Sequence, residues 1–277
     1  MSVLEALIVG FVQGITEFLP ISSSAHIVLT TYLLNIQFPG LLLEIFLHLA
    51  SVLAVIIFYR KDLYRIVAGF LAYIRYRSPL DYAAFKFGLY LIVATGISGG
   101  LGMLLTDWID DSLKAPPVIA LALFVTGFFL IFIERFHRLG NKTEETMGWI
   151  DTCVVALAQT LAVLPGISRS GSTLIAGLWM GLNRETAVRF SFLLSIPIIL
   201  GSTVLLVKDL EPGLVNQTGG LPILTAFVAS FLFSIIGIKW LINFLNKGRL
   251  TYFAIYCFIL ATIVLLFFDR NIQMAIN

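Results

Sequence analysis

Residues 10–26, GFVQGITEFLPISSSAH, place a glutamine, a glutamate, three serines and a histidine within an otherwise apolar part of the chain. The proline in this stretch ends a helix, and a serine directly after such a break is suited to cap the next helix. The stretch therefore predicts two short helices with polar side chains at the turn between them.

The composition is that of an integral membrane protein. Of the 277 residues, 59% are hydrophobic and 12% are charged, and the mean hydropathy is +0.97, well above that of a soluble domain. A net charge of +2, spread over several loops, gives no basis for nucleic-acid binding. Six apolar segments are long enough to cross a hydrocarbon core of about 30 Å as helices. They cover residues 40–59, 83–105, 116–134, 190–207, 221–244 and 250–268.

Loop charges predict how these spans are oriented. Basic residues are concentrated in the loops 60–86, 135–148, 182–189 and 247–249. The positive-inside rule places these loops in the cytoplasm. The apolar segment 149–181 then begins and ends inside, and the segment 1–39 begins and ends outside. We expect both to be re-entrant helical hairpins, which membranes tolerate where the broken backbone is buried in protein or lines a polar cavity.

The two halves of the chain also resemble each other. Gln13 and Gln159 are separated by the same 146 positions as Ser22 and Ser168. We therefore predict an all-α integral membrane protein with six transmembrane helices and two re-entrant hairpins. Residues 1–277 would form a single polytopic domain with an inverted-topology repeat, repeat one at about 1–140 and repeat two at about 146–277. Such repeats often enclose small-molecule sites near the midplane.

The first hairpin carries groups suited to acid–base and nucleophilic chemistry. Gln13 and Glu17 share one helix face, and a carboxylate at membrane depth is costly unless it is paired or hydrated. His26 lies within reach of the hydroxyl of Ser22 or Ser23, as in a nucleophile and base arrangement. The alternatives are a structural Gln–Glu pair, serines that serve only as caps, and a histidine satisfied in the core.

The second hairpin adds an anion-binding arrangement. In LPGISRSGST, residues 164–173, a proline–glycine break is followed by Ser168, Arg169, Ser170 and Thr173. Arginine is the preferred planar donor for phosphate, and a helix N-terminus adds N–H groups and a positive dipole end. Arg169 could instead only neutralise Glu17. If both helix starts converge, the groups together predict a phosphoryl-transfer site.

These motifs resemble those of the undecaprenyl-diphosphate phosphatases, also called bacitracin-resistance proteins, along nearly the whole chain. QGITE at residues 13–17 fits the family's Glu/Gln-x-x-x-Glu motif, and PGISRSGST at residues 165–173 fits Pro-Gly-x-Ser-Arg-Ser-x-x-Thr. The resemblance implies a membrane hydrolase that converts undecaprenyl diphosphate to the monophosphate carrier lipid for peptidoglycan synthesis. It also implies a multi-pass protein of the cell membrane, with its site reached from the external leaflet.

The resemblance implies roles for particular residues. The central, catalytic positions are Glu17, Ser23, His26 and Arg169. Supporting, substrate-binding positions are Gln13, Ser22, Gln159, Ser168, Ser170 and Thr173. It further implies a divalent cation, Mg²⁺ or alternatively Ca²⁺, near Glu17 and Gln13. Gln13 stands where some members have glutamate, which removes one anionic ligand.

Two mechanisms and one other class of function stay open at this point. Ser23 would attack the terminal phosphorus with His26 as base, or His26 would attack directly. A polyprenyl-phosphate transporter or flippase is the main alternative, because inverted repeats are also the plan of many transporters. The sequence leaves the oligomeric state open, a homodimer included, and gives Glu44 and His48 no assigned role.

Overall fold

The computed structural model describes residues 1–36, 41–106, 115–136, 140–207 and 219–267, and these residues form a helical architecture. The helices are α1 (Val3–Phe18), α2 (Ser23–Leu33), α3 (Leu41–Phe58), α4 (Arg60–Tyr76), α5 (Tyr82–Thr106), α6 (Pro116–Phe136), α7 (Trp149–Thr160), α8 (Arg169–Trp179), α9 (Arg184–Val207), α10 (Gly220–Asn246) and α11 (Leu250–Phe267). Short 3₁₀ turns at Pro79–Asp81 and Leu161–Val163 precede α5 and follow α7. The predicted all-α class is confirmed.

The six predicted spans all fall on helices. Within the described ranges, five helices are long and apolar enough to cross a membrane, namely α5, α6, α9, α10 and α11. The sixth predicted span is α3, which is followed by α4 after a bend of 74°. Taken together, α3 and α4 are also long and apolar enough to cross a membrane. The protein is therefore a multi-pass membrane protein.

Helix α4 corrects the sequence interpretation of residues 60–86 as a loop. Its basic residues indicated a loop, but Ile66 and Gly69 of the same segment are buried. A Cβ at Gly69 would lie 2.6 Å from the Cβ of Ala84, so α4 packs closely against α5. The segment is amphipathic, and its apolar side has a partner.

Both predicted hairpins consist of two packed helices separated by a break. Helices α1 and α2 contact each other across Leu19–Ser22, and α7 contacts α8 across a segment in which Gly166 has φ +90°. Ser22 accepts a hydrogen bond from the Ala25 N–H (3.5 Å) and Ser168 from the Gly171 N–H (3.1 Å), as N-caps of the second helix in each hairpin. Whether the hairpins are re-entrant depends on a membrane and stays a prediction.

The packing follows a pattern in which the two halves correspond. Helix α1 packs on α10 as α7 packs on α5, and α3 contacts α10 as α9 contacts α5. If α1, α3, α5 and α6 are exchanged with α7, α9, α10 and α11, each of these contacts becomes the other member of its pair. The α3–α9 and α6–α11 contacts stay the same under this exchange. This pattern is what an internal repeat would produce. The repeat and its boundaries stay a prediction.

Helix α1 is held to α10 by very close backbone packing. A Cβ at Gly10 would lie 2.5 Å from the carbonyl oxygen of Ala226, and one at Gly14 would lie 2.5 Å from that of Ser230. Two glycines four positions apart allow this approach, as in other membrane helix pairs. The contact fixes the helix that carries Glu17.

We predict that Gly14→Ala destabilises the protein, because the new methyl group would have to displace the α10 backbone. Overpacking of this kind costs about 1–3 kcal/mol, so the thermal unfolding temperature in detergent should fall. Gly201→Ala on α9 is the matched control, since a Cβ there meets no atom within 4 Å. Equal unfolding temperatures for both variants would contradict the close contact.

Candidate active site

The centre of the site is the carboxylate of Glu17, whose side chain is 1% exposed. Its Oε2 accepts hydrogen bonds from Gln13 Nε2 at 2.8 Å and from Ser23 Oγ at 2.7 Å. Its Oε1 forms an ion pair and hydrogen bond with the guanidinium of Arg169. The first residues of α2 and α8 therefore meet at one carboxylate on α1.

Serine and threonine hydroxyls connect the second hairpin to the first hairpin and to α9 by hydrogen bonds. Ser170 Oγ donates to the backbone oxygen of Leu19 at 3.0 Å, which joins α8 to the break in the first hairpin. Thr173 Oγ1 bonds the carbonyl of Arg169 at 3.1 Å and the hydroxyl of Ser191 on α9. These contacts fix the helix turn from which Arg169 extends. The narrow space beside them is lined by Glu17, Phe18, Arg169, Ser170, Thr173, Ser191, Phe192 and Ser195.

His26 is held by two hydrogen bonds of its own. Its Nδ1 lies 2.7 Å from the backbone oxygen of Ser22, and its Nε2 lies 2.6 Å from the hydroxyl of Tyr256 on α11. A serine hydroxyl has one proton to donate, and Ser23 donates its proton to Glu17. In this structure the hydrogen-bond acceptor of the Ser23 hydroxyl is therefore a carboxylate and not the imidazole.

His48 is a further neighbour of Glu17, to which sequence reasoning assigned no role. Its Nε2 lies 3.8 Å from Glu17 Oε2, and its Nδ1 donates to the Glu44 carbonyl at 2.9 Å. The side chain of Glu44 is exposed. A histidine on an otherwise apolar span was the available signal for His48. The sequence did not distinguish Tyr256 and Ser191 as site residues, because their helices contain other hydroxyl-bearing residues.

Gln159 differs from the other predicted substrate-binding residues. It is 4% exposed, yet neither its amide oxygen nor its amide nitrogen has a hydrogen-bond partner among the described residues. The structure thus places Ser22, Ser168, Ser170 and Thr173 at the starts of α2 and α8 and joins Gln13 to Glu17, but it does not join Gln159 to the Glu17 network.

An apolar cavity lies apart from these polar groups. It has a volume of about 720 Å³ and an apolar wall contributed by α5, α7 and the following 3₁₀ turn. Its lining residues are Leu101, Leu104, Leu105, Leu157, Ala158, Thr160 and Leu161.

The residues at Glu17 do not form a good site for the implied divalent cation. Both carboxylate oxygens are already engaged, one of them by a guanidinium, and Gln13 presents its amide nitrogen rather than its oxygen. Hard cations prefer several oxygen ligands. No group of three or more His, Cys, Asp or Glu side chains suited to a metal occurs in the described part of the chain. The cation stays a prediction, and no step below depends on it.

We predict that Arg169→Ala strongly destabilises the protein, because it leaves the Glu17 carboxylate buried without its charge partner. Loss of one partner of a buried pair costs about 3–5 kcal/mol. Glu17→Gln combined with Arg169→Gln removes both charges and should unfold in detergent at a higher temperature than Arg169→Ala. If the double variant were the less stable of the two, the unpaired charge would not be the cause.

Known proteins match nearly the whole chain. The family model described as bacitracin resistance protein BacA matches residues 6–263. "Undecaprenyl-diphosphatase 2" of Halalkalibacterium halodurans is 56% identical over 272 residues, 98% of each chain. "Undecaprenyl-diphosphatase 1" of Shouchella clausii is 56% identical over 270 residues, 97% of this chain and 98% of that protein. "Undecaprenyl-diphosphatase 2" of Bacillus thuringiensis is 40% identical over 265 residues, 96% of this chain and 97% of that protein. Agreement over this length shows that the chain belongs to the bacitracin resistance protein BacA family.

Proposed function

We propose that this protein hydrolyses undecaprenyl diphosphate to undecaprenyl phosphate and inorganic phosphate, which recycles the carrier lipid for peptidoglycan synthesis and confers bacitracin resistance. The observation that carries the proposal is the Ser23 hydroxyl, bonded at 2.7 Å to a buried carboxylate that is itself paired with Arg169. The names of the relatives support the same activity.

The positive groups around Glu17 are suited to a diphosphate. The Arg169 side chain is 23% exposed, so its guanidinium can still be approached by an anion while it contacts Glu17. Arg169 is also the first residue of α8, where the helix dipole favours negative charge. In this proposal the substrate phosphates bind at the start of α8, next to the Ser23 hydroxyl.

Ser23 is the proposed nucleophile and Glu17 its proton acceptor. Ser23 Oγ attacks the terminal phosphorus, its proton passes to Glu17 Oε2, and the bond from phosphorus to the bridging oxygen breaks. Undecaprenyl phosphate leaves, and Glu17 releases the accepted proton to water. Water then attacks the phosphoserine: one of its protons restores the Ser23 hydroxyl, and its oxygen and other proton leave with inorganic phosphate. Such acid–base assistance contributes about 10²–10⁴-fold in rate.

His26 is less suited to direct attack in this arrangement. A nucleophilic nitrogen needs a free lone pair, but both ring nitrogens are in hydrogen bonds, with Ser22 and Tyr256. Attack by His26 would first require the Tyr256 contact to open. This supports Ser23 and leaves His26 a supporting role in orienting groups or handling protons.

We place the protein in the cell membrane with the site reached from the external face. The support is the multi-pass helical architecture together with the distribution of basic residues, from which the positive-inside rule predicts an external position for the first hairpin. A lipid transporter is the second candidate function, but a transporter needs only binding groups, and a serine bonded to a carboxylate base favours chemistry. Whether the protein forms a homodimer is tested separately, by measuring the mass of the purified protein.

Purified protein in detergent is expected to release inorganic phosphate from undecaprenyl diphosphate. Ser23→Ala should lower the rate by about a thousandfold or more, since the attacking atom is lost. Ser24→Ala is the matched control: Ser24 is the adjacent serine, exposed, and makes no bond to Glu17 among the described contacts. No release by the unsubstituted protein would contradict the enzymatic function, and equal losses in both variants would contradict the role of Ser23.

Rapid acid quenching with substrate labelled in the terminal phosphate distinguishes the two nucleophiles. We expect an acid-stable phosphoserine that is absent in Ser23→Ala. An acid-labile adduct that persists in Ser23→Ala and is lost in His26→Asn would instead identify a phosphohistidine. The same assay after treatment with EDTA, with and without added Mg²⁺ or Ca²⁺, tests the predicted cation.

A further inference from the structure

Two adjacent residues of helix α11, at the other end of the chain, contact the first hairpin, one at α2 and one at the break before it. The Tyr256 hydroxyl lies 2.6 Å from His26 Nε2, and the two rings stack with an interplanar angle of 8° and centroids 5.5 Å apart. The Sγ of Cys257 lies 3.8 Å from the backbone oxygen of Pro20. The helix that carries Tyr256 is therefore fixed to the turn that carries the site.

The hydrogen bonds define which nitrogen of His26 bears the proton. A backbone carbonyl can only accept, so the Nδ1 beside the Ser22 oxygen must be the donor. In neutral imidazole the other nitrogen, Nε2, then has the lone pair. Tyr256 must donate its hydroxyl proton to that lone pair. If His26 becomes protonated, Nε2–H can donate to the Tyr256 oxygen, so the contact is suited to both states.

The carbonyl that holds His26 lies on an unusual backbone. Ser22 has φ +67° and ψ 97°, in a region that residues with a side chain seldom adopt. Strain of this kind persists where surrounding contacts enforce it, often at functional sites. Here the strained residue, Ser22, accepts a hydrogen bond from His26 through its carbonyl, and His26 is in turn bonded to Tyr256. These two bonds join the hairpin to α11.

We propose that Tyr256 is a positioning residue for His26: its hydroxyl donates to Nε2 and, with the Ser22 carbonyl at Nδ1, fixes the orientation and tautomer of the imidazole beside the site. This proposal rests on the proposed function for its effect on the rate. The hydrogen bond itself does not depend on that function. Tyr256 is 42% exposed, so packing alone does not account for its orientation toward the histidine.

Tyr256→Phe removes the hydroxyl and keeps the ring. The ¹⁵N resonances of histidine-labelled protein in detergent report the protonation of each ring nitrogen, and His26→Asn identifies the His26 signals. We expect Tyr256→Phe to shift the Nε2 resonance of His26, and to lower kcat about tenfold, the equivalent of one hydrogen bond, with KM within about twofold. Tyr252→Phe, one turn earlier on α11 and 57% exposed, is the control and should change neither quantity.

A double-variant cycle tests whether Tyr256 acts through His26. In the His26→Asn background, Tyr256→Phe should cause no further loss, because the residue it positions is absent. Unchanged His26 resonances in Tyr256→Phe would overturn the proposal, and so would a full additional tenfold loss in the His26→Asn background. If the unsubstituted protein released no phosphate, the function would be wrong, while the resonance shift would still test the contact.

Discussion

The ion pair between Glu17 and Arg169 is the interaction on which the arrangement of this protein depends. A carboxylate that is almost fully buried in an apolar protein is very costly unless charge and hydrogen bonds compensate it. Arg169, Gln13 and Ser23 supply that compensation, and they come from α8, α1 and α2. The same contacts that make burial tolerable also bring a hydroxyl, a base and an arginine to one point.

The two helix breaks determine which residues can meet there. Ser23 is the first residue of α2 and Arg169 is the first residue of α8, each directly after a capping serine. Gln13 and Gln159 are related by the same offset as these caps. The residue after each cap thus differs between the two hairpins: Ser23 presents a hydroxyl and Arg169 a guanidinium. Cap, helix dipole and reactive side chain act at the same place.

Much of this could be predicted from the sequence because the signals were local. Apolar length predicted the spans, and Pro20 with the serines after it predicted the first break. The buried charge of Glu17 required a partner, for which Arg169 was the candidate within a membrane segment. Helix α4 was missed because its basic residues suggested a loop.

The contacts made by Tyr256 and His48 depend on how distant helices pack. A single sequence contains no local pattern for a contact across 230 positions, such as that between His26 and Tyr256. Gln159 shows that a pattern in the sequence can also suggest a contact that the structure does not contain. The resemblance implied a substrate-binding role for Gln159, and the offset related it to Gln13, but a matching position in the sequence does not ensure a matching side-chain partner, and Gln159 has none among the described residues.

The separation of Glu17 and Arg169 along the chain also has a consequence for biosynthesis. The ribosome makes Glu17 more than half a chain before its guanidinium partner, and several apolar spans enter the bilayer in between. Until α8 has been made, the carboxylate lacks this charge partner, and an unpaired charge is costly at membrane depth. The pair can therefore form only after α8 has been made, and the contacts of the first hairpin with α10 and α11 can form only later still.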